Sequence, residues 1–160
     1  MQTSQRRSGP ANTAQAVETG LLDKLLLIAK ASRALLGVRL AEIGLNPGQD
    51  QMIVLLEREV RCKVGAVADA LNVRPSTVSK MADRLRAMGL IDKETIELDA
   101  RCTELSLTDA GKAKKIEVLA CWQELELQLV DANPQLADPR LRESLELIES
   151  VLKSRLSRLR

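Results

Sequence analysis

The sequence has no histidine, tyrosine or phenylalanine, and Trp122 is its only aromatic residue. Without histidine the chain cannot form a serine–histidine or cysteine–histidine catalytic pair, and it offers no imidazole ligand to a metal. Without aromatic platforms, stacking recognition of single-stranded nucleic acid is disfavoured, which favours double-stranded DNA over RNA as a nucleic-acid partner. No paired carboxylates and no glycine-rich phosphate loop emerge either. We therefore predict no enzymatic activity, no cofactor and no metal site.

Cysteine is scarce and does not form a recognisable motif. The number of cysteines is odd, and the three residues lie far apart in sequence without a CxxC pair: Cys62, Cys102 and Cys121. This pattern indicates neither a zinc site nor a disulfide framework, and a reducing cytoplasm is the natural compartment. It favours inert structural thiols, with redox sensing by one of the three as the alternative. No apolar run reaches the roughly 18 residues that would span a membrane.

Hydrophobic periodicity divides most of the chain into helices with one hairpin between them. Asn46 is predicted to be the N-cap of the second helix, with Pro47 at its first position and Gln49 as the capping-box residue. Thr108 is predicted to cap a long later helix with Ile116, Leu119 and Leu127 on its inner face. The last helix spaces its leucines like a heptad seam, which predicts a partner helix. The predicted helices are 20–43, 47–59, 64–71, 75–88, 109–132 and one from 139 onward, and the predicted strands are 90–94 and 102–107.

The most informative segment is the helix predicted between Pro75 and Gly89. Proline is tolerated in the first turn, and glycine commonly follows the last. Apolar residues recur from Val78 at helical spacing and form an inner face, while hydroxyl and basic side chains occupy the outer face. Such side chains can contact base edges and phosphates, although the pattern alone equally fits a solvated amphipathic helix. The outer face comprises Ser76, Thr77, Lys80 and Arg84, with Ser79 and Arg86 at its margins.

Five short motifs, in order and at ungapped spacing, resemble the MarR family of bacterial winged-helix regulators. They are VADAL at 67–71, STVSKMADRL at 76–85, GLI at 89–91, DAR at 99–101 and LSLTDAG at 105–111. The resemblance extends over about 21–156. It implies a mainly α fold with a small β-hairpin wing, in which N- and C-terminal dimerisation helices flank a winged helix-turn-helix lobe.

The resemblance also implies a division of the chain and of its roles. Residues 1–19 would be a flexible tail, 20–45 and 109–160 a helical dimerisation region, and 46–108 the winged helix-turn-helix region, all within a single intertwined domain. Two subunits would then present two reading helices to double-stranded DNA.

The site residues follow from the same resemblance. Ser76, Thr77, Ser79 and Lys80 would enter the major groove, and Arg101 would lie in the minor groove at the wing. Asp99 would stabilise the wing by orienting Arg101 or by pairing with Arg84; a simple hairpin salt bridge between Asp99 and Arg101 is the alternative. The wing departs from the family because it is acidic where several arginines are usual. The predicted DNA-binding residues are Arg74, Ser76, Thr77, Ser79, Lys80, Arg84, Lys93 and Arg101.

Three functional hypotheses result. The leading one is a dimeric, sequence-specific transcriptional regulator of the bacterial cytoplasm, a repressor as is common in the family, that recognises a palindromic operator. Release of the DNA by a small-molecule effector is a second hypothesis, with Trp122 as the only aromatic side chain available to such a ligand. The alternative is a winged-helix protein-interaction module whose DNA binding is weak or lost, which the acidic wing permits.

Overall fold

The computed structural model describes residues 20–57, 60–95 and 103–158, so the tail predicted over 1–19 lies outside the described residues. No helix in these three ranges is long and apolar enough to cross a membrane. The helices are α1 (Leu21–Glu42), α2 (Gln49–Leu55), α3 (Val64–Ala70), α4 (Pro75–Ala87), α5 (Asp109–Ala132) and α6 (Pro139–Ser157), and a short 3₁₀ helix covers Pro134–Ala137. The strands are β1 (Cys62–Lys63), β2 (Ile91–Thr95) and β3 (Thr103–Leu107).

The fold class predicted from the sequence is confirmed, since helices surround a small antiparallel sheet in the winged-helix order. The chain divides into two compact units, Met1–Ala34 and Leu35–Arg160. The described part of the first unit is the beginning of α1, and the second unit holds all the other elements. The predicted division into tail, dimerisation and DNA-binding regions stays a prediction.

Capping residues explain most of the helix boundaries. The Thr108 hydroxyl accepts a hydrogen bond from the Gly111 N–H at 3.0 Å, as predicted for the start of α5. The Gln49 side chain accepts one from the Asn46 N–H at 2.8 Å, which is the bond expected of the predicted capping-box residue. The predicted N-cap at Asn46 is wrong, because α2 begins at Gln49 and its N-cap is Gly48 in the left-handed region. The second helix is nevertheless shorter than predicted, because Leu56 is already extended. The backbone that follows turns towards the sheet, where the Glu57 carbonyl accepts from the Leu107 N–H at 3.1 Å.

The sheet has three strands in the order β1-β3-β2. The predicted hairpin is confirmed as β2 and β3, which pair in antiparallel register with Ile91 opposite Leu107. The strand β1 was not predicted, because two residues are too short to show an alternating pattern. It forms by pairing with β3, where Cys62 lies opposite Leu105.

One hydrophobic core joins the sheet, α2, α3, α4 and α5. Each of these elements contributes side chains that are almost fully buried, such as Ile53, Val67, Leu85, Leu105 and Val118. Burial of this kind stabilises a protein by about 1.5–3 kcal/mol for each large aliphatic side chain. The helix α4 is therefore held along its whole inner face, and its outer face is presented to solvent.

The inner face predicted for α5 is wrong. Ile116, Leu119 and Leu127 are 66%, 44% and 55% exposed, whereas Val118 and Cys121 are the side chains buried in the core. The helix carries apolar residues on more than one face, and periodicity does not say which face meets the chain's own core. The face that carries Ile116, Leu119 and Leu127 is exposed to solvent in this structure.

Two adjacent lysines of α5 bind the ends of other helices. The Lys114 ammonium donates to the Ile43 carbonyl, just beyond α1, at 3.2 Å. The Lys115 ammonium donates to the Leu56 carbonyl, just beyond α2, at 3.0 Å, and pairs with Glu57 at 2.6 Å. Cations near helix C-termini satisfy carbonyls that have no partner within their own helix. The two contacts fix α5 against the segments that lead into the helix-turn-helix region.

Candidate nucleic-acid interface

The turn between α3 and α4 sets the direction of α4. Asn72 has a positive φ of 54°, in the left-handed region that asparagine tolerates better than most residues. The Val73 N–H returns to the Ala68 carbonyl at 3.0 Å and closes the turn. Arg74 is extended, and Pro75 then occupies the first turn of α4, as predicted. This is the helix, turn and helix expected from the sequence.

The end of α4 is as well defined as its start. Gly89 has a φ of 71°, which a residue with a Cβ adopts only with strain. Its N–H donates to the Arg86 carbonyl at 2.8 Å, and the Leu90 N–H donates to the Leu85 carbonyl at 2.9 Å. This pair of bonds is a Schellman motif. It ends the helix and redirects the chain into β2.

The outer face of α4 carries the predicted polar residues. Arg74, Ser76, Thr77, Lys80 and Arg84 are exposed, and Ser79 is half-buried at the margin. Val78, Ala82 and Leu85 are buried on the opposite side, so the predicted division into two faces is correct. None of the four cations of this helix region forms an ion pair with any other described residue: they are Arg74, Lys80, Arg84 and Arg86.

Cations that have no ion-pair partner in the described part of the chain, beside exposed hydroxyls, suit a polyanionic partner. Each ammonium or guanidinium is free to neutralise a phosphate, and the hydroxyls can donate to or accept from phosphates and base edges. The N-terminal end of a helix also favours negative charge, because its dipole presents partial positive charge there. In α4 the hydroxyls of Ser76 and Thr77 lie in that first turn.

Charged residues of the wing form ion pairs that a count of charges along the sequence does not predict. Lys93 is not a free cation: its ammonium lies 2.7 Å from the Asp83 carboxylate on α4. On the other face of β2, Glu94 pairs with Arg61. Asp92 and Glu94 are exposed, in keeping with the acidic character noted in the sequence. Arg101 and Asp99 lie outside the described residues, so their roles stay predictions.

Sequence reasoning missed Asp83 and Arg61 as partners of the wing. Asp83 is ten residues from Lys93, and the two meet only because the chain reverses at Gly89. Arg61 and Glu94 meet across the central strand of the sheet. A count of charges along the sequence contains no signal for either pair.

A second polar feature connects α2 with α5. Asp50 is 1% exposed, and its carboxylate accepts from the Gly48 N–H at 2.8 Å and from the Trp122 indole N–H at 3.2 Å. A buried carboxylate is tolerated when such donors replace water. Beside the indole, an open cavity of about 470 Å³ is lined by residues of α2, α3, α5 and α6, including Val54, Leu55 and Lys153.

The cysteines that the structure describes are free thiols. Cys121 is buried, and this burial is the main cause that raises the pKa of its thiol above the ordinary value, while Arg39 opposes the rise. A raised pKa leaves less of the reactive thiolate at neutral pH. Cys121 therefore fits the predicted inert structural thiol. Cys62 is half-buried in β1, and Cys102 lies outside the described residues.

The three-stranded sheet and the α3-turn-α4 unit define a winged helix-turn-helix protein. Comparison with known proteins agrees: residues 53–95 match the family described as iron dependent repressor, N-terminal DNA binding domain. The residues described in this structure include no cluster of three or more cysteine, aspartate or glutamate side chains able to hold a metal ion. The matched segment runs from α2 to the end of β2.

Two proteins similar to this chain are a transcriptional repressor and a MarR protein, and the five sequence motifs resemble the MarR family. The chain is 40% identical over 77 residues to the HTH-type transcriptional repressor MdtR of Bacillus subtilis, an alignment that spans 48% of this chain and 50% of that protein. A MarR protein from Peptoclostridium difficile superposes with a TM-score of 0.79 at 15% identity, covering 96% of this chain and 100% of that one.

A solved complex has the same fold. The Staphylococcus aureus MepR–DNA complex superposes with a TM-score of 0.70 at 19% identity, covering 81% of this chain and 95% of that one. At these identities the superpositions establish the fold. Together with the repressor relative, they confirm the resemblance to MarR-type winged-helix transcriptional regulators.

Proposed function

We propose that this protein is a dimeric, sequence-specific repressor of transcription that binds double-stranded DNA. The observation that carries the proposal is the outer face of α4, where four cations without ion pairs among the described residues lie beside exposed hydroxyls. A winged-helix frame holds that face rigidly from behind. Because chromosomal DNA is the partner, the proposal places the protein in the bacterial cytoplasm.

The proposed contacts divide between the two grooves. The α4 face reads the major groove, and the wing follows the backbone towards the minor groove. Arg101 is the proposed minor-groove residue, and Asp99 is proposed to stabilise the wing. The proposed major-groove and phosphate contacts are Arg74, Ser76, Thr77, Ser79, Lys80 and Arg84. Lys93, the remaining residue of the set predicted from the sequence, is paired with Asp83 on the wing side.

Exposed apolar surface supports the dimer. Isolated apolar side chains are normal on a protein surface, but stripes of them along whole helices mark contact sites. A second copy of the chain, related by a two-fold axis, would cover such stripes symmetrically. Exposed apolar residues occur on α1 (Leu21, Leu22, Leu26, Leu27 and Ile28), on α5 (Ile116, Leu119, Leu127 and Leu129) and on α6 (Leu141, Leu145, Leu147, Val151, Leu152 and Leu156).

The test of this function is protection footprinting of the upstream region of the protein's own gene. Two reading helices related by a two-fold axis require half-sites about 34–36 Å apart, or one helical turn. We expect two protected segments at that spacing, with affinity that falls steeply as salt rises because counterions are released from phosphate. Protection without sequence preference would contradict the proposal.

The cavity beside Trp122 supports release by a small ligand as part of the same function. Its lining combines aliphatic side chains and the indole with polar side chains, and it therefore suits an apolar body that carries a polar group. The Lys153 ammonium pairs with Glu149 at 2.6 Å, so a carboxylate on the ligand would have to replace Glu149 as its partner. Trp122 is the only tryptophan, so the tryptophan fluorescence comes from the residue that lines this cavity. We expect a set of aromatic carboxylates to include one that changes the emission, and K153Q to weaken that response. Constant emission across the set would contradict a site here.

A further inference from the structure

The ion pair between Lys93 and Asp83 connects the wing to the reading helix. Along β2, Ile91 is buried and Lys93 half-buried on the side that faces α4, whereas Asp92 and Glu94 on the other side are exposed. The Lys93 side chain is only 21% exposed, and its ammonium lies 2.7 Å from the Asp83 carboxylate, whose side chain is 62% exposed. The lysine thus approaches from the protein side, and the carboxylate remains open to solvent on the other.

Asp83 stands among the cations of the proposed DNA-binding face. On a helix, residues three positions apart are neighbours, so Lys80 and Arg86 both lie within reach of this carboxylate. Without Lys93, Asp83 would attract one of these cations and would itself repel phosphate. In the structure neither Lys80 nor Arg86 forms an ion pair with a described residue, and the carboxylate is taken by Lys93.

We propose that Lys93 is a positioning residue of the DNA-binding surface and does not itself bind phosphate. It neutralises Asp83, leaves Lys80 and Arg86 free for DNA, and holds β2 against α4. This inference rests on the proposed function and refines it, because Lys93 acts through another residue. An exposed ion pair contributes little to stability, so the consequence of losing it is expected in DNA affinity and not in folding.

A double-mutant cycle tests the role of Lys93. Wild-type protein, K93Q, D83N and K93Q/D83N are titrated with a labelled duplex from the footprinted upstream segment at several salt concentrations. We expect K93Q to bind roughly tenfold more weakly, because it leaves an uncompensated carboxylate beside DNA. The double variant K93Q/D83N is expected to recover wild-type affinity and salt dependence within about a factor of three, since neutral side chains then replace both charges. K93R, which preserves the pair, is expected to bind like wild type.

The matched control replaces a neighbouring carboxylate on the opposite face of β2. D92N adds the same positive charge as D83N, but Asp92 forms no ion pair with a described residue. K93Q/D92N should therefore remain as weak as K93Q, and all variants should unfold within a few degrees of wild type. If D92N restores the DNA affinity of K93Q as well as D83N does, or if D83N does not restore it, the proposed role of Lys93 is wrong. Specific binding by the wild-type protein would still support the proposed function in that case. Wild-type protein that prefers no upstream duplex over random DNA would overturn both.

Discussion

A protein in which Lys80 and Arg84 are both replaced by alanine is expected to bind its specific duplex on the order of a thousandfold more weakly than wild type, or worse. Both side chains are exposed on the outer face of α4 and form no ion pair with any residue whose position is described. Each specific contact of this kind contributes about 1–3 kcal/mol, and a dimer loses it twice. The salt dependence of binding should also become shallower, because fewer counterions are released.

The fold of this variant should be intact, since neither side chain packs in the core and alanine favours helix more than lysine or arginine does. The measurements are equilibrium binding at several salt concentrations and thermal unfolding of the same samples. A matched control removes two exposed cations elsewhere, Lys112 on α5 and Arg155 on α6. The K112A/R155A variant should bind within a few-fold of wild type.

This comparison also separates the leading function from a protein-interaction module. A DNA reader loses affinity for its operator when the cations of α4 are removed, whereas an adaptor that uses another surface is unaffected. If wild type and K80A/R84A bind duplex equally, α4 is not the reading head. The acidic wing, with Asp92 and Glu94 exposed, would then be the natural place to look for a basic protein partner.

Replacement of Gly111 by alanine is expected to give the largest loss of stability. Gly111 lies in the first turn of α5, where a Cβ would stand 1.8 Å from the Leu90 carbonyl oxygen and 3.1 Å from Leu107 Cδ2. The Leu90 carbonyl belongs to the backbone, so it cannot move as freely as the end of a side chain. The Leu90 carbonyl already accepts from the Thr108 N–H at 3.1 Å, and the Thr108 hydroxyl donates to the Gly89 carbonyl at 2.7 Å.

An alanine here must therefore displace either the start of α5 or the segment that leads into β2. We expect a loss of about 2–3 kcal/mol in the free energy of unfolding and a melting temperature roughly 5–10 °C lower. The control is Gly65 in α3, where an added Cβ meets nothing within 4 Å. G65A should be stabilised by about 0.5–1 kcal/mol, because alanine favours helix over glycine. Thermal denaturation of both variants measures these changes in stability. A G111A protein as stable as wild type would contradict the close contact between this position and the Leu90 carbonyl.

The elements that the sequence predicts well are those with local signals. Pro75 and Gly89 bound α4 because proline has no N–H to lose in the first turn and glycine tolerates a positive φ beyond the last. Thr108 marks the start of α5 because its hydroxyl accepts a backbone N–H three residues on. These signals need no knowledge of the tertiary fold, and the two faces of α4 follow from helical periodicity.

The features that the sequence does not predict depend on tertiary contacts. The helix α2 ends early because the chain after Leu56 is drawn to the end of β3, and β1 exists only through its pairing with β3. The prediction of the inner face of α5 was wrong because one apolar face of this helix meets the core and another does not. The Lys93–Asp83 pair likewise depends on the turn at Gly89, so a count of local charge treats Lys93 as free.

If two copies of the α4 face read one palindromic DNA site, hydroxyl-radical footprinting with the purified protein should detect both copies at once. The DNA is the upstream region of the protein's gene, with a random duplex and the K80A/R84A variant as controls. We expect one symmetric footprint, with two protected backbone segments about 34–36 Å apart, which the variant does not produce. Uniform protection of all DNA, or a footprint that the variant reproduces at the same concentration, would contradict it.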